Sequence, residues 1–84
     1  MEKDLKSIIL LLTTQAMINL GEIEDPISKI KNKNRTNAEL FISLLEVLDE
    51  RTKGNLTEEE DNFLKEVLKN LASIYKKNFL NEDI

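Results

Sequence analysis

The chain has 84 residues and a formal net charge of −4, and it contains no cysteine, histidine or tryptophan. This composition excludes disulfides, thiolate metal sites and cysteine nucleophiles, and it removes the usual general base near neutral pH. A chain of this length forms one domain but buries only roughly 60–65% of its unfolded surface, so a partner that extends the core is plausible.

The apolar run at residues 8–12 raises the question of a membrane span or a signal peptide. Thr13, Thr14, Gln15 and Asn19 interrupt the run, and the charges that precede it cancel. Both features argue against a span and against a secretion signal. The sequence therefore predicts a soluble, cytoplasmic protein with no membrane span.

The first predicted helix covers residues 3–20, and apolar side chains occupy almost every side of it. Ile9, Ala16 and Leu20 share one face at helical spacing. Two further pairs, Leu10 with Met17 and Leu11 with Ile18, point to other sides. Because a helix that is apolar all round must be surrounded by other groups, we expect a largely buried first helix, which Gly21 ends.

A polar linker, residues 21–35, separates the first helix from a second at residues 37–53. Thr36 and Glu39 have the spacing of a capping box, which predicts that Thr36 begins the second helix. Ala38, Phe41, Leu45 and Leu48 form one apolar seam, and Leu40, Leu44 and Val47 form another beside it. A helix this broadly apolar is expected to pack against two neighbours.

The run "ERTKGNLTEEE" is best explained as the connection between the second and third helices. Gly54 permits the positive φ that ends one helix, and Thr57 with Glu60 forms a capping box that begins the next. The predicted structural turn comprises Lys53, Gly54, Asn55, Leu56, Thr57 and Glu60. A third, two-sided helix follows at residues 58–78, antiparallel to the second, and residues 79–84 form a short tail. The expected fold is an all-α, small three-helix bundle, with residues 1–78 as a single domain.

These features together resemble a known family. The apolar first helix ends in Leu20 and Gly21, and Asp25-Pro26, Ala38, Leu44-Leu45 and "TKGNLTEEE" follow in order before a last helix that ends near Tyr75. In this pattern the chain is similar to the bacterial family catalogued as domain of unknown function 1844, over residues 8–76. The resemblance implies a small helical bacterial protein. It brings no activity, cofactor or catalytic residue.

Self-association is the first functional prediction. Three short helices cannot cover every side of the first one, so part of it should face outward in a monomer. The predicted self-association surface comprises Leu10, Leu11, Gln15, Met17 and Ile18. A two-fold homodimer would bury such a patch. Gln15 either meets its symmetry mate and determines register, or points to solvent.

Nucleic-acid or ribonucleoprotein binding is the alternative. Lys29, Lys31, Lys33 and Arg35 alternate through the linker and could lie along phosphates. No aromatic residue lies among them, and nearby acidic residues offset most of their charge. A solvated loop explains these residues better than nucleic-acid binding does.

Catalysis and metal binding are disfavoured. The carboxylates at residues 58–61, and Glu46, Asp49 and Glu50, are typical of solvated helix faces, and no EF-hand or glycine-rich phosphate loop surrounds them. We therefore expect no enzyme activity, no metal and no cofactor. The sequence predicts a small interaction or regulatory module that forms a homodimer or binds an unidentified protein partner, and it disfavours nucleic acid as a partner.

Overall fold

The computed structural model describes residues 5–80. Within this range the chain forms three α-helices, α1 (Leu5–Leu20), α2 (Arg35–Arg51) and α3 (Glu58–Tyr75), and a π-helical turn at Lys76–Leu80. The described residues contain no β-strand. The prediction of an all-α, three-helix fold is confirmed. The predicted helix start at residues 3–4 and the tail residues 81–84 lie outside the described residues.

Gly21 ends α1 through backbone geometry that few other residues adopt. Its φ is +84°, its amide donates to the Ile18 carbonyl at 3.1 Å, and the Glu22 amide donates to the Met17 carbonyl at 3.0 Å. These two bonds satisfy carbonyls that the helix end leaves unpaired. A Cβ on residue 21 would also lie 2.7 Å from Cγ of Lys33. Glycine is therefore required both by the turn and by the close approach of the linker.

The predicted start of α2 is wrong by two residues. Asn34, and not Thr36, is the N-cap: its side-chain oxygen accepts from the Asn37 amide at 3.0 Å. The Asn34 amide in turn donates to the Asn19 carbonyl at the end of α1, at 2.8 Å. This tertiary bond places the chain at Asn34 in a capping conformation, and asparagine is at least as good a cap as threonine. At its other end α2 stops at Arg51, and Thr52 is the C-cap.

The third helix begins where the sequence places it and ends earlier. Thr57 and Glu60 form the capping box, with reciprocal bonds of 3.0 and 3.1 Å. Regular α-helix ends at Tyr75, and the π-helical turn continues the chain to Leu80. Residue 79 is consequently part of the folded chain and not of a tail. The Phe79 ring lies 5.2 Å from the Tyr75 ring and packs against the core.

The core lies where the three helices meet. Each helix contributes small or aliphatic side chains from one face, as their periodicity predicts. The buried cluster consists of Ile9, Ala16, Leu20, Ala38, Leu45, Leu64, Val67 and Leu71. Half-buried side chains, including Phe41, Leu48, Leu68 and Ile74, surround it.

Contacts near the helix ends show which ends lie together. Asn34 at the start of α2 meets Asn19 at the end of α1. The Tyr75 hydroxyl, at the end of α3, donates to Glu39 in the early part of α2 at 2.9 Å. Lys6 near the start of α1 pairs with Glu59 near the start of α3. These contacts determine which sides of α1 and α2 remain open.

Candidate interaction surface

The outer side of α1 is open along most of its length and covered at one end. Leu10 is 58% exposed, Leu11 is 60% exposed and Ile8 is about half exposed. Ile18 is only 9% exposed, and Met17 is half-buried against the core. The prediction that Met17 and Ile18 face outward in a monomer is therefore wrong. Most of α1 is buried or half-buried, and its exposed large side chains, Ile8, Leu10 and Leu11, all lie in its N-terminal half.

The linker is the cause of the burial of Ile18. A polar cavity of about 160 Å³ lies between α1 and the linker, lined by Ile18 and Asn19 together with Asp25, Ser28 and Asn32 among others. Asp25 shapes this part of the linker, since its carboxylate accepts from the Ile27 amide at 2.7 Å. The linker thus lies over the C-terminal end of the outer side of α1. Helical periodicity gives no information about such a cover.

One edge of the open side of α1 faces α3. Lys6 pairs with Glu59, and Thr13 and Met17 line a groove together with Val67 and other residues of α3. Leu10 shares this edge, because it lies four residues after Lys6 and three before Thr13. Leu10 therefore lies on the edge of α1 that faces α3 and is separated from Leu11 around the helix.

The other edge of α1 faces α2 and continues onto it. Ile8 lies on the same edge as Asn19, which bonds to the start of α2. On α2, Leu40, Leu44 and Val47 form an exposed stripe. The opposite edge of α2 faces α3 through Glu39 and Asp49, so this stripe lies on the α1 side. As expected, α2 packs against two neighbours, α1 and α3, but its second seam remains exposed.

We call the resulting apolar surface the outer face. Its members are the exposed aliphatic residues on the adjoining edges of the two helices, with one amide side chain among them. The outer face comprises Ile8, Leu11, Gln15, Leu40, Leu44 and Val47. None of these side chains is charged. Of the predicted self-association residues, Leu11 and Gln15 lie on the outer face, whereas Leu10, Met17 and Ile18 do not.

Gln15 is the polar member of the outer face. Its residue is half-buried, and its side-chain amide makes no hydrogen bond within residues 5–80. Only its backbone carbonyl is used, as the acceptor for Asn19 Nδ2 at 2.8 Å. Both the donors and the acceptor of the Gln15 amide are therefore available.

The basic linker residues do not form one free patch. Lys33 Nζ donates to the Asn78 carbonyl at 3.2 Å and lies 5.9 Å from the centre of the Phe79 ring. Arg35 donates to the Tyr75 hydroxyl at 2.8 Å and stacks on its ring. Lys29, with a φ of +65°, and Lys31 are exposed on the linker surface. Half of the predicted phosphate-binding set thus contacts the end of α3 and the π-helical turn that follows it.

Asn78 is the residue that sequence reasoning missed. It is buried in the π-helical turn, and its amide donates to the Leu20 carbonyl and to Glu22, both at 2.8 Å. The bond from Asn78, followed by the charge of Lys77, lowers the pKa of Glu22. A signal was present, since residue 78 continues the spacing of Leu71 and Ile74 and is polar where that stripe is apolar. This network ties the end of α3 to the end of α1.

The turn between α2 and α3 is occupied by structural contacts. Gly54 has a φ of +81°, and the Asn55 amide donates to the Thr52 carbonyl at 2.9 Å. Leu56 is half-buried and packs against the core. Lys53 is exposed, and Thr57 and Glu60 begin α3. These positions thus form the corner of the fold.

Lys65 lies between two of the acidic residues. Lys65 donates to Asp61 at 2.7 Å and lies 4.0 Å from Asp49, and the bond to Asp61 raises the pKa of Lys65. Within residues 5–80, no three carboxylates are close enough together to hold a metal ion. In the same range, no helix has both the length and the apolar character needed to cross a bilayer.

Comparison with known proteins bears on the family of the chain. No curated protein and no solved structure shows a significant match. One family model matches, described as Domain of unknown function (DUF1844), and the match covers residues 2–77 of the 84. This match includes α1, the linker, α2 and α3, and it confirms the resemblance carried by Leu20-Gly21, Asp25-Pro26 and the turn before Thr57. The chain belongs to this family, the Domain of unknown function (DUF1844) family.

Proposed function

We propose that the protein is a non-catalytic interaction module that forms a homodimer through the outer face. The observation that carries the proposal is the exposed, uncharged set of aliphatic side chains that spans α1 and α2. Contiguous exposed apolar surface of this kind usually marks an interface. The six members of the outer face carry no charge, and the exposed Arg51 continues the α2 stripe only at its end, so like charges would meet only at the rim of a contact between two identical surfaces.

The arrangement of the helices supports one continuous outer face. The contacts of Asn34 with Asn19 and of Tyr75 with Glu39 support an α2 that runs antiparallel to both α1 and α3. In that arrangement the rise per residue is the same on α1 and α2, so Leu11 and Leu44 lie at similar heights. The two exposed stripes then form a single surface in place of two separate ones.

The size of the outer face predicts a weak dimer. Full burial of a leucine, isoleucine or valine side chain is worth roughly 1.5–3 kcal/mol, so a half-exposed one contributes about 1 kcal/mol. Five such residues in each of two copies contribute on the order of 10 kcal/mol, against an association cost of roughly 4–15 kcal/mol. We therefore expect a dimer that dissociates on dilution. A change in protein concentration, or a competing partner, would alter its population, which fits a regulatory module.

A cytoplasmic location is part of the proposal, and the lack of cysteine in the chain is consistent with it. Nucleic-acid binding has less support. Lys33 contacts the π-helical turn and Arg35 contacts Tyr75 of α3, which leaves Lys29 and Lys31 to contact phosphates. Two lysines on a chain with a net charge of −4 are a weak basis for retention on nucleic acid.

Sedimentation equilibrium over a wide concentration range tests the proposal. We expect the wild type to approach twice the monomer mass as concentration rises. The double variant Leu11→Glu with Leu44→Glu should raise the dissociation constant at least about a hundredfold, because an unpaired carboxylate buried at an interface costs several kcal/mol.

The matched control is Ile27→Glu. Ile27 is 91% exposed and lies in the linker, outside the outer face. The same aliphatic-to-acid change there should leave the dissociation constant unchanged, and circular dichroism should show equal helicity for all variants. A wild type that stays monomeric at every concentration would refute the proposal. If Ile27→Glu raised the dissociation constant as much as the double variant does, the outer face would not be the interface.

A further inference from the structure

The outer face has one open end and one covered end. Ile18 continues the stripe of Leu11 and Gln15, but the linker covers it. At the other end, Ser7 and Ile8 are exposed. Among the described residues, a partner seated on the outer face therefore meets a raised linker at the Ile18 end and free surface at the Ser7 end.

A two-fold axis can run either along the helices or across them, and the covered end of the outer face favours one of these two arrangements. In a homodimer that uses one face twice, the symmetry axis lies in the plane of the interface. If the axis runs along the helices, α1 of each copy lies opposite α2 of the other, and both raised linkers come to the same end, where they hold the two faces apart. If the axis runs across the helices, the linkers lie at opposite ends, each beyond the open end of the other copy. Only the second arrangement lets the exposed side chains meet.

The position of the axis follows from the extent of the exposed side chains. They run from Ile8 to Gln15 on α1 and from Leu40 to Val47 on α2, so the centre lies near Leu11. Mutual burial is greatest when the axis passes through that centre. We propose that α1 packs antiparallel to α1 of the partner subunit, with Leu11 beside the two-fold axis and opposite Leu11 of the partner subunit. This inference rests on the homodimer proposed above and specifies its geometry.

This geometry also determines the height of Gln15 relative to the partner subunit. Ser7 and Gln15 each lie four residues from Leu11, on opposite sides of it. Antiparallel pairing about Leu11 therefore brings Gln15 to the height of Ser7 of the partner subunit. Around the helix, however, Ser7 and Gln15 lie on opposite sides of the Leu11 stripe, roughly 80° apart, so the two side chains share a height without direct contact. Gln15 therefore lies at the α2 edge of the contact, away from its own symmetry mate.

The absence of native cysteine makes the test direct, because any introduced cysteine is the only thiol in its chain. Full-length single-cysteine variants are treated with a short bismaleimide at a concentration where sedimentation shows the dimer. Leu11→Cys should crosslink to itself. Ser7→Cys mixed with Gln15→Cys should crosslink more than either variant alone. Both should react at least about tenfold faster than Ile27→Cys, because thiols within one complex have a millimolar effective concentration whereas the control reacts through collisions.

Other crosslinking patterns would overturn the inference. Faster self-crosslinking of Gln15→Cys than of Leu11→Cys would move the axis toward Gln15. Preferential crosslinking of Leu11→Cys with Leu44→Cys in a mixture would indicate an axis along the helices. Control-level crosslinking at all these positions in a proven dimer would place the interface elsewhere. A monomer by sedimentation would instead refute the underlying homodimer, so the two failures are distinguishable.

Discussion

Leu11 and Ile18 lie two helical turns apart on one stripe of α1, but their surroundings differ. Leu11 is 60% exposed, whereas Ile18 is 9% exposed because the linker lies over it. Both are large aliphatic residues on the side of α1 that points away from α2 and α3. The comparison shows that exposure on this side depends on a neighbouring segment and not on residue type or helical position. The open half is available for a partner, and the covered half stabilises the monomer.

Truncation of the two residues tests this difference most strongly. Ile18→Ala should lower the free energy of unfolding by about 2–4 kcal/mol, since it removes buried methyl groups and leaves a cavity. Leu11→Ala, measured at a dilution where the monomer predominates, should cost less than about 1 kcal/mol. Urea unfolding followed by circular dichroism gives both values. Equal losses at the two positions would mean that the linker does not cover Ile18 in solution.

Asn78 provides the next largest test, because it holds the covered end of α1 in place. Asn78→Ala removes the donor to the Leu20 carbonyl and to Glu22, so the free energy of unfolding should fall by roughly 1–3 kcal/mol. Asn70→Ala on the exposed side of α3 is the matched control, with little effect expected. A control that destabilises as much as Asn78→Ala would show that the buried bonds are unimportant.

The linker ends at the N-cap of α2, so substitutions at the two candidate N-caps, Asn34 and Thr36, test where it ends. Asn34→Ala should cost about 1 kcal/mol of stability, as for other N-caps, whereas Thr36→Ala should cost only a few tenths. The two substitutions are two residues apart, and thermal unfolding of both variants separates the alternatives. A larger loss of stability for Thr36→Ala than for Asn34→Ala would show that Thr36 forms the capping box that the sequence predicts.

The smallest expected effect is a dependence of stability on pH. The folded state lowers the pKa of Glu22, chiefly through the bond from Asn78. Stability from this carboxylate is therefore present above the pKa of the unfolded chain, about 4.3, and is lost as pH falls through the lower folded value. Its size should be at most about 1 kcal/mol, as for other partly exposed charge contacts. Glu22→Gln should weaken the pH dependence of the unfolding free energy below about pH 4.3, and an unchanged profile would contradict the assignment.

Much of the fold was predictable because its signals are local. Gly21, Gly54 and the Thr57–Glu60 capping box lie within a few residues of the helix ends that they form. The errors involve contacts distant in sequence: Asn34 replaces Thr36 as the cap because Asn19 binds its backbone amide. The predicted self-association surface shows the same division between local signals and contacts distant in sequence. Leu11 follows from helical periodicity, whereas the separation of Leu10 from it and the burial of Ile18 do not.

By itself, the sequence determines the helical class, the helix ends formed by local caps and the excess of apolar surface on α1 and α2. These follow from backbone preferences and from periodicity, both of which act over one or two turns of chain. Only the tertiary structure decides which part of that excess is covered. The linker residue Asn34, the lysine at residue 33 and Asn78 near the C-terminal end all bind to groups far away in sequence, and their contacts bury one end of α1. The outer face is what remains, because three short helices and one linker have too little surface to cover every side of α1 and α2.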